Sequence, residues 1–541
     1  MVYHSRWFRL IVVVMILAPF FALGVGSARS AGETPGGEEI VRQTSILVSY
    51  TRYEWWLLRW STGDIVCQVF VDHENLPSAE DISLDCSGSV YNEWMATPAC
   101  AAMTSGSGDT STCAGLYLYY LGSAPAEKTI VVDLPAPEVW VSLGNCEPST
   151  PENLCPVIPT LVFTAHEPLP NEQITSVTAV VDNQTFTCVG SVCEVPLKAT
   201  SLTGVLVTFW ADSSFGDSSE QFTAQVRVID SGVTLWPSGG GWYVDVLSTQ
   251  WMGREIASCA QAWSAFPPVG GPPTWLQTPV APELLATDVP FAYLAGRLIA
   301  QGLVDALGCP GGGLLANGYA DACGVDAALP QVVDWQNRFD EQLLAVAAET
   351  GVPAQLMKNM IAQESQFWPG MFRVPYEFGL GQITDNGAEA LLLWNPDFYE
   401  QFCPLVLDAS ACADGYIYLD AGSQAILRGA LASQSASDGI DLSNVDFSIN
   451  LFAHTLLANC EQVGQIMYNA TGGKLGGQVS SYEELWRFTV ANYHIGPGCL
   501  SYAMYKAWAA RVPMDWEHVS DYLTEPCQSV IPYVANVTGS P

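Results

Sequence analysis

The sequence predicts a multidomain protein whose N-terminal half is β-rich and whose C-terminal domain is all-α. A chain of 541 residues is longer than one hydrophobic core usually serves. β-rich runs separated by turn residues dominate up to about residue 230, whereas apolar residues recur every three or four positions from about 290 to 508. With 49% hydrophobic residues, the chain has enough apolar material to fill several cores.

Residues 1–30 are predicted to be an export signal. Arg6 and Arg9 precede an apolar run at residues 10–25, and the small residues that follow offer cleavage after Ala28 or Ser30. The run is close to the length that crosses a bilayer, so an uncleaved N-terminal anchor is the alternative. In both cases the rest of the chain is expected to be extracellular or in the cell envelope, with that anchor as its only contact with a membrane.

Residues 40–135 are predicted to form a disulfide-containing β-rich domain, either α+β or all-β, of unknown function. Its runs at 45–50 and 65–71 are rich in β-branched residues, and one helix is expected after Pro77-Ser78. Residues 136–232 contain five further runs separated by Pro, Asn, Gly and Asp, and this spacing suggests an immunoglobulin-like β-sandwich.

Residues 233–289 are expected to be a linker or a loop-rich segment. Glycine and proline cluster at 239–241 and 267–273, where neither a regular helix nor a central strand is favoured. The domain that follows, residues 290–530, is predicted to be helical because of its apolar spacing.

The charge balance excludes some classes of partner. The formal net charge is −36, from 55 acidic and 19 basic residues, and no basic cluster follows the first positions. Nucleic acid and anionic lipid are therefore disfavoured, because binding them depends on Lys and Arg neutralising phosphates. Oligomeric state is not indicated by the composition.

The 16 cysteines are predicted to form disulfides in an oxidising compartment. Neither a C-x-x-C pair nor an H-E-x-x-H motif is present, so metal-ligand spacing is missing and neither a metal nor another cofactor is predicted. The connectivity stays open from sequence, although Cys188 and Cys193 flank a turn-like centre and could pair across a hairpin.

One glutamate is expected on the apolar side of a helix. Pro353 suits the first turn of a helix that Pro369-Gly370 closes. Met357, Met360, Ile361 and Glu364 then fall at i, i+3, i+4 and i+7, on one face. Partial burial and the negative end of the helix dipole would both raise the carboxyl pKa, which suits a proton donor, whereas a solvated residue at the helix end is the alternative.

Three stretches of the helical domain carry motifs in a fixed order. The first is Glu364-Ser365-x-Phe367, the second is GLGQI at residues 379–383, and the third is NYHIGPG at residues 492–498. Together they resemble the E-S-x-F, G-L-M-Q-I and A-Y-N-A-G-P-G motifs of the soluble lytic transglycosylase family, which has a goose-lysozyme-like fold. The likeness covers roughly the last 200 residues, and residues 449–453 are similar to a further helical motif of that family.

The resemblance implies an enzyme that cleaves the bond between N-acetylmuramic acid and N-acetylglucosamine in peptidoglycan strands. The glutamate, Glu364 here, protonates the glycosidic oxygen and then removes a proton from the muramyl 6-hydroxyl, which closes a 1,6-anhydro ring. By position, the candidate substrate-binding residues are Ser365, Gln382, Tyr493 and His494. Tyr493 would hydrogen-bond or orient Glu364, whereas Ser365 and Gln382 could equally make only local hydrogen bonds.

The departures from the family pattern raise alternatives. Gly381 stands where the family has Met and suggests a more open groove, and His494 stands where the family has Asn. Glu377, which with Tyr376 replaces a Gly-Ala pair, and Asp385 flank the second motif. Either could be a second carboxylate that activates water, as in an inverting hydrolase, or simply a solvated loop acid.

Three functions are therefore considered. The first is a lytic transglycosylase with two β-rich modules, of which the sandwich would be a spacer or a wall-contacting module. The second is a muramidase or chitinase-type hydrolase on the same fold. The third is a catalytically silent wall-binding surface protein, against which the joint presence of Glu364, Gln382 and Tyr493 speaks.

Overall fold

The computed structural model describes residues 42–100, 110–146, 154–235, 239–252, 258–370, 377–435 and 439–539. The predicted export signal at residues 1–30 lies outside these ranges. The chain divides into two compact units, with Glu33–Ala136 in one and Pro137–Pro541 in the other. The N-terminal region is β-rich with antiparallel sheets and the C-terminal region is helical, which confirms the predicted multidomain organisation.

The first unit is a three-stranded antiparallel sheet with two helices on one face. Strand β1 (Gln43–Arg59) lies between β2 (Ile65–Val71) and β3 (Leu116–Asp133). Helices α1 (Ala79–Asp85) and α2 (Gly88–Met95) pack on the face that holds the core. The unit is therefore α+β.

Alternation along the strands defines the core of this unit. Leu57 of β1, Val69 of β2 and Ile82 of α1 are fully buried, as expected when every second strand residue points to one face. The helix predicted after Pro77-Ser78 begins there, because Ser78 caps α1 in a reciprocal pair of hydrogen bonds with Asp81.

Among the described residues, the second unit begins with nine strands in two antiparallel sheets. One sheet has the order β5-β12-β11-β10-β7-β8 and the other has the order β4-β6-β9. The two sheets share one hydrophobic core, in which the rings of Phe163 and Phe209 lie 4.8 Å apart. The strands are β4 Glu138–Gly144, β5 Leu154–Cys155, β6 Thr160–His166, β7 Ile174–Val181, β8 Gln184–Val189, β9 Val192–Pro196, β10 Val205–Ser213, β11 Phe222–Leu235 and β12 Gly239–Leu247.

The segment 233–289, expected to be a linker or loop-rich, contributes packed structure. It holds strand β12, a short helix and the buried side chains of Trp263 and Trp275. Arg227 of β11 donates to the backbone oxygen of Pro267 at 2.6 Å and lies over the ring of Phe266 at 4.6 Å. These contacts hold the Pro-rich stretch against the sheet. The segment packs although it is rich in glycine and proline, because its aromatic side chains supply apolar surface.

The helical region is built around one long helix, α12, whose sides are buried along most of its length. Helices α3, α6, α8, α11, α13 and α14 pack against it. The helices are α3 Ser258–Trp263, α4 Ala292–Ala300, α5 Ala322–Asn337, α6 Asp340–Thr350, α7 Ala354–Glu364, α8 Asp385–Trp394, α9 Pro396–Phe402, α10 Ala409–Cys412, α11 Ala421–Ser435, α12 Val445–Thr471, α13 Tyr482–Ile495, α14 Pro497–Ala509, α15 Trp516–Ser520 and α16 Val530–Thr538.

All 16 cysteines are paired, which confirms the predicted disulfides and indicates an oxidising environment. The pair Cys188–Cys193 closes across the β8–β9 hairpin as the sequence suggested. Within the described ranges, no helix has the length and apolar character needed to cross a bilayer. The eight bonds are Cys67–Cys86, Cys100–Cys113, Cys146–Cys155, Cys188–Cys193, Cys259–Cys460, Cys309–Cys323, Cys403–Cys412 and Cys499–Cys527.

Candidate active site

Glu364 is the last residue of α7, and its side chain is half-buried. The apolar positions Met357, Met360 and Ile361 are fully buried, so the expected face of the helix does point to the core. The helix ends at Ser365 because the next two residues adopt left-handed backbone conformations, with φ of 47° at Gln366 and 63° at Phe367.

The strained turn after Glu364 is held by two hydrogen bonds from distant elements. The side-chain oxygen of Gln366 accepts from the backbone N–H of Tyr293 at 3.0 Å, at the start of α4. The indole N–H of Trp335 donates to the backbone oxygen of Phe367 at 2.8 Å. Left-handed non-glycine residues persist only where their surroundings impose them, so this turn fixes the position of Glu364.

A buried ion pair anchors α7 one and a half turns before Glu364. The ammonium group of Lys358 lies 2.7 Å and 2.9 Å from the two carboxylate oxygens of Asp340, and 2.9 Å from the side-chain oxygen of Asn337. Lys358 is 1% exposed. All three of its N–H groups therefore have partners, and it is no free cation for a ligand.

Tyr533 of α16 donates a hydrogen bond to the carboxylate of Glu364, with 2.5 Å between the two oxygens. α16 is tied to α7, because the amide of Asn359 donates to the backbone oxygen of Val537 at 2.8 Å. Burial, and then the charge and hydrogen bond of Glu364, raise the pKa of Tyr533 well above its usual value. The hydroxyl thus stays protonated and available as a donor.

His494, at the end of α13, stacks on Tyr533. The two ring centres lie 4.1 Å apart and the ring planes differ by 16°. A flat aromatic contact of this kind restricts the rotation of both rings. His494 of the third motif therefore packs on the tyrosine that donates to Glu364.

The second motif is a tight hairpin seated on α12. Phe378 and Ile383 exchange two backbone hydrogen bonds, of 3.0 Å and 2.9 Å. Ser448 accommodates the turn by accepting the backbone N–H of Leu380 at 2.9 Å. Gly379 has φ of 71°, which favours glycine there.

The missing side chain at Gly381 makes room for packing. A Cβ atom at this position would lie 2.3 Å from the ring of Phe452 on α12. The sequence suggested that Gly381 opens the groove. This is wrong where a side chain at this position would point, because that space is occupied. The space is filled by the fully buried Phe452.

Tyr493 joins the third motif to this hairpin. Its hydroxyl donates to the backbone oxygen of Gly381 at 2.5 Å. Of the two interactions with Glu364 that the sequence considered for Tyr493, a hydrogen bond or orientation, the hydrogen bond is made by Tyr533. Burial, then the charges of Glu364 and Glu377, raise the pKa of Tyr493 well above its usual value. Both carboxylates are therefore within electrostatic range of this hydroxyl.

Ser365 and Gln382 are both buried, at 1% and 5% exposure. The hydroxyl of Ser365 donates to the backbone oxygen of Ile361 at 3.3 Å, which is the local helix-end bond that the sequence left open. The amide nitrogen of Gln382 donates to the backbone oxygen of Gly379 at 2.8 Å, but among the described residues its side-chain oxygen has no hydrogen-bond partner. Gln382 therefore has a buried acceptor without a partner among the described groups, which a bound water would satisfy.

The two candidate second carboxylates lie in different surroundings. Asp385 starts α8, is largely exposed and pairs with Arg428 at 3.1 Å. Glu377 is half-buried and close enough to Tyr493 to act on it by charge. Of the two, only Glu377 is thus shown within electrostatic range of Tyr493. Tyr376 lies outside the described residues.

The three motifs are therefore connected through Tyr493, which donates to Gly381 of the second motif and lies within electrostatic range of Glu364 of the first. Tyr533 was not found from the sequence, because it belongs to none of the three motifs and its helix has no polar pattern that marks it. Among the described residues, no group of three or more His, Cys, Asp or Glu side chains is arranged to hold a metal ion. What the arrangement offers is proton donation and acceptance at Glu364.

Compared with known proteins, the chain matches no family model, no curated protein and no solved structure.

Proposed function

We propose that the helical region is a lysozyme-like catalytic domain and that it acts as a peptidoglycan lytic transglycosylase, with Glu364 as its single acid/base. One observation carries the proposal. Three motifs that resemble those of that family are linked through Tyr493 next to a half-buried carboxylate, Glu364, which accepts a hydrogen bond from Tyr533 at 2.5 Å. An arrangement of this kind is expected of a catalytic centre and has no evident use in a purely structural domain.

In the first step, protonated Glu364 gives its proton to the glycosidic oxygen between N-acetylmuramic acid and N-acetylglucosamine. The bond from C1 of the muramyl sugar to that oxygen then breaks, and the N-acetylglucosamine side leaves as an alcohol. The muramyl N-acetyl group stabilises the positive charge at C1, so a second carboxylate is not required. Such substrate assistance is an exception to the two-carboxylate rule for glycosidases.

In the second step, the carboxylate of Glu364 removes the proton from the muramyl 6-hydroxyl. The oxygen bonds to C1, a 1,6-anhydro ring closes, and Glu364 is protonated again. Water is neither consumed nor released. The hydroxyl of Tyr533 supports this cycle because it stabilises the carboxylate form between the two proton transfers.

The remaining parts follow from this proposal. We assign the two-sheet region to the immunoglobulin-like class, as a spacer or wall-contacting module. The sequence bounded it at residues 136–232, and its last strand, β12, extends it to Leu247. Export through residues 1–30 would deliver the protein to the cell envelope or the medium, in agreement with its eight disulfides.

A hydrolase of muramidase type is the second candidate, and one observation favours it. Glu377 acts by charge on Tyr493, as Glu364 does, so a further carboxylate lies within electrostatic range of that hydroxyl. If Glu377 activated a water molecule, the product would carry an ordinary reducing end. Asp385 is less suited because it pairs with Arg428.

Digestion of purified peptidoglycan with residues 31–541 tests the proposal, with the released sugar ends identified by mass spectrometry. We expect ends that lack one water, and we expect Glu364→Gln to lower their release by roughly 10²–10⁴-fold, the usual contribution of a general acid/base. Glu377→Gln is the matched control, because it removes the neighbouring charge and should leave the product unchanged.

Ordinary reducing ends that disappear with Glu377→Gln would replace the transglycosylase by the hydrolase. Binding without products, from both the native chain and Glu364→Gln, would instead favour the silent wall-binding protein.

A further inference from the structure

The first unit has a second sheet face, opposite to its core, that is lined by aromatic rings. We call this surface the aromatic face and define it by Trp56 and Trp60 of β1 and the turn after it, Phe70 of β2, and Tyr117 and Tyr119 of β3. Leu57 and Leu118, which alternate with these residues, belong to the core on the other side. The alternation of a strand therefore separates two apolar faces.

The rings of this face are neighbours across the sheet. Trp56 is directly opposite Tyr119 in the strand register. The rings of Trp60 and Tyr117 stack with their centres 4.0 Å apart, and the guanidinium of Arg52 lies 4.8 Å from the centre of the Phe70 ring. Aromatic rings from all three strands therefore lie on this face.

Within the described residues of this unit, neither helix covers these rings. Both α-helices of this unit pack on the opposite face. Tyr119 is 52% exposed and Phe70 is 39% exposed, whereas the true core side chains are fully buried. Large exposed apolar patches of this kind mark interaction surfaces.

We infer that the aromatic face binds the sugar rings of a polysaccharide strand. The C–H groups on one face of a pyranose are weakly positive and pack on the negative face of an aromatic ring. Planar rings side by side offer several such contacts, and Glu54, on the same face, accepts from the indole N–H of Trp56 at 2.8 Å. Its second carboxylate oxygen can accept from a sugar hydroxyl.

The charge distribution argues for a sugar chain over anionic partners. The chain carries a net charge of −36. On this side of the sheet Arg52 is engaged with Phe70 and Lys128 is paired with Asp72 at 2.7 Å. Phosphate groups of nucleic acids, lipids or anionic wall polymers would meet few cations here.

The inference rests on the proposed function only for the choice of polymer. A module that holds a glycan strand raises the local concentration of a second site on the same chain that cleaves it. Binding itself requires no cleavage and can be measured without it.

The test is co-sedimentation of residues 31–541 with insoluble peptidoglycan sacculi and, separately, with chitin, in a Glu364→Gln background. We expect the double variant Trp56→Ala/Tyr119→Ala to bind roughly tenfold more weakly, because it loses two ring contacts with the glycan. Tyr120→Ala is the matched control. Tyr120 is the next residue on β3, is 44% exposed, and its ring contacts Trp55 on the other side of the sheet.

Circular dichroism before sedimentation confirms that each variant is folded, and Tyr119→Ala alone, at a largely exposed position, repeats the measurement with less disturbance. Equal binding by the Tyr119 and Tyr120 variants to both polymers overturns the inference. So does unchanged glycan binding accompanied by a change in sedimentation velocity, which would make the face a protein interface. Because cleavage is disabled throughout, neither result depends on whether Glu364 is catalytic.

Discussion

Glu364 depends on a hydroxyl group 169 residues further along the chain. Tyr533 is fixed by α16, which is held against α7 by Asn359, and by the stacked ring of His494. The carboxylate therefore has a partner that is pre-oriented by packing. Such pre-orientation lowers the reorganisation needed when the charge on Glu364 changes.

We predict that Tyr533→Phe lowers kcat by roughly ten- to a hundredfold. The hydroxyl stabilises the carboxylate form of Glu364, so its loss should also move the limb of the pH–rate profile that Glu364 sets toward higher pH. Rates of glycan cleavage measured across the pH range check both effects.

Tyr493→Phe serves as the comparison for this prediction. It removes a hydroxyl whose pKa is also raised by burial but which donates to Gly381. We expect Tyr493→Phe to disturb the hairpin and so to raise KM, while the pH–rate profile stays unchanged. A shift of that profile in Tyr493→Phe, and none in Tyr533→Phe, would reverse the two roles.

At the residue scale, the sequence could locate Glu364 but not its partner. The spacing of Met357, Met360 and Ile361 predicts the buried face of α7 because helical periodicity is a local property. Tyr533 could not be found in this way, since its role depends on a contact between helices distant in sequence. The meaning of Gly381 was missed for the same reason, as the space beside it is occupied by Phe452.

At the scale of elements, too, local signals were predictable and long-range contacts were not. The runs at 45–50 and 65–71 predict β1 and β2, and the Pro77-Ser78 pair predicts α1, because alternation and capping are local signals. Residues 233–289 were expected to be linker on their glycine and proline content. The strand β12 forms there because β11 supplies its hydrogen-bonding partner, which local composition does not reveal.

The hairpin 378–383 and the helix α12 form the element contact that shapes the site. We predict that Gly381→Ala lowers the free energy of unfolding by about 1–3 kcal/mol, because the new methyl group overlaps the buried ring of Phe452. Activity should fall as well, since the same ring makes an edge contact with Tyr493. Denaturant unfolding and cleavage rates measure the two effects.

Two further variants make this prediction specific. Phe452→Leu in the Gly381→Ala background should restore part of the loss, so that the two changes are not additive. Gly429→Ala is the matched control. Gly429 is an exposed residue of α11, and nothing lies within 4 Å of the Cβ atom that the alanine would add. This variant should be neutral or slightly stabilising. Equal losses from Gly381→Ala and Gly429→Ala would rule out the packing explanation.

At the scale of the whole molecule, one disulfide connects the region after the sheets to the centre of the helical region. Cys259 of α3 is bonded to Cys460 of α12 across 201 residues of chain. Trp263, on the same short helix, donates to the backbone oxygen of Cys460 at 2.9 Å. The bond thus encloses all the motifs up to α12, including Glu364 and the hairpin.

We predict that this disulfide contributes more stability than those with short loops. If a disulfide acts mainly by restricting the unfolded chain, its contribution grows with the logarithm of the loop length, and a loop of this size corresponds to about 5 kcal/mol. Cys403–Cys412, with a separation of 9 in the same helical region, corresponds to about 2–3 kcal/mol. Cys259→Ser/Cys460→Ser should therefore lower the denaturation midpoint, followed by helical circular dichroism, more than Cys403→Ser/Cys412→Ser does. Equal midpoints for the two double variants would mean that the native contacts around each bond, such as the Trp263 hydrogen bond, outweigh the entropy of the loop it closes.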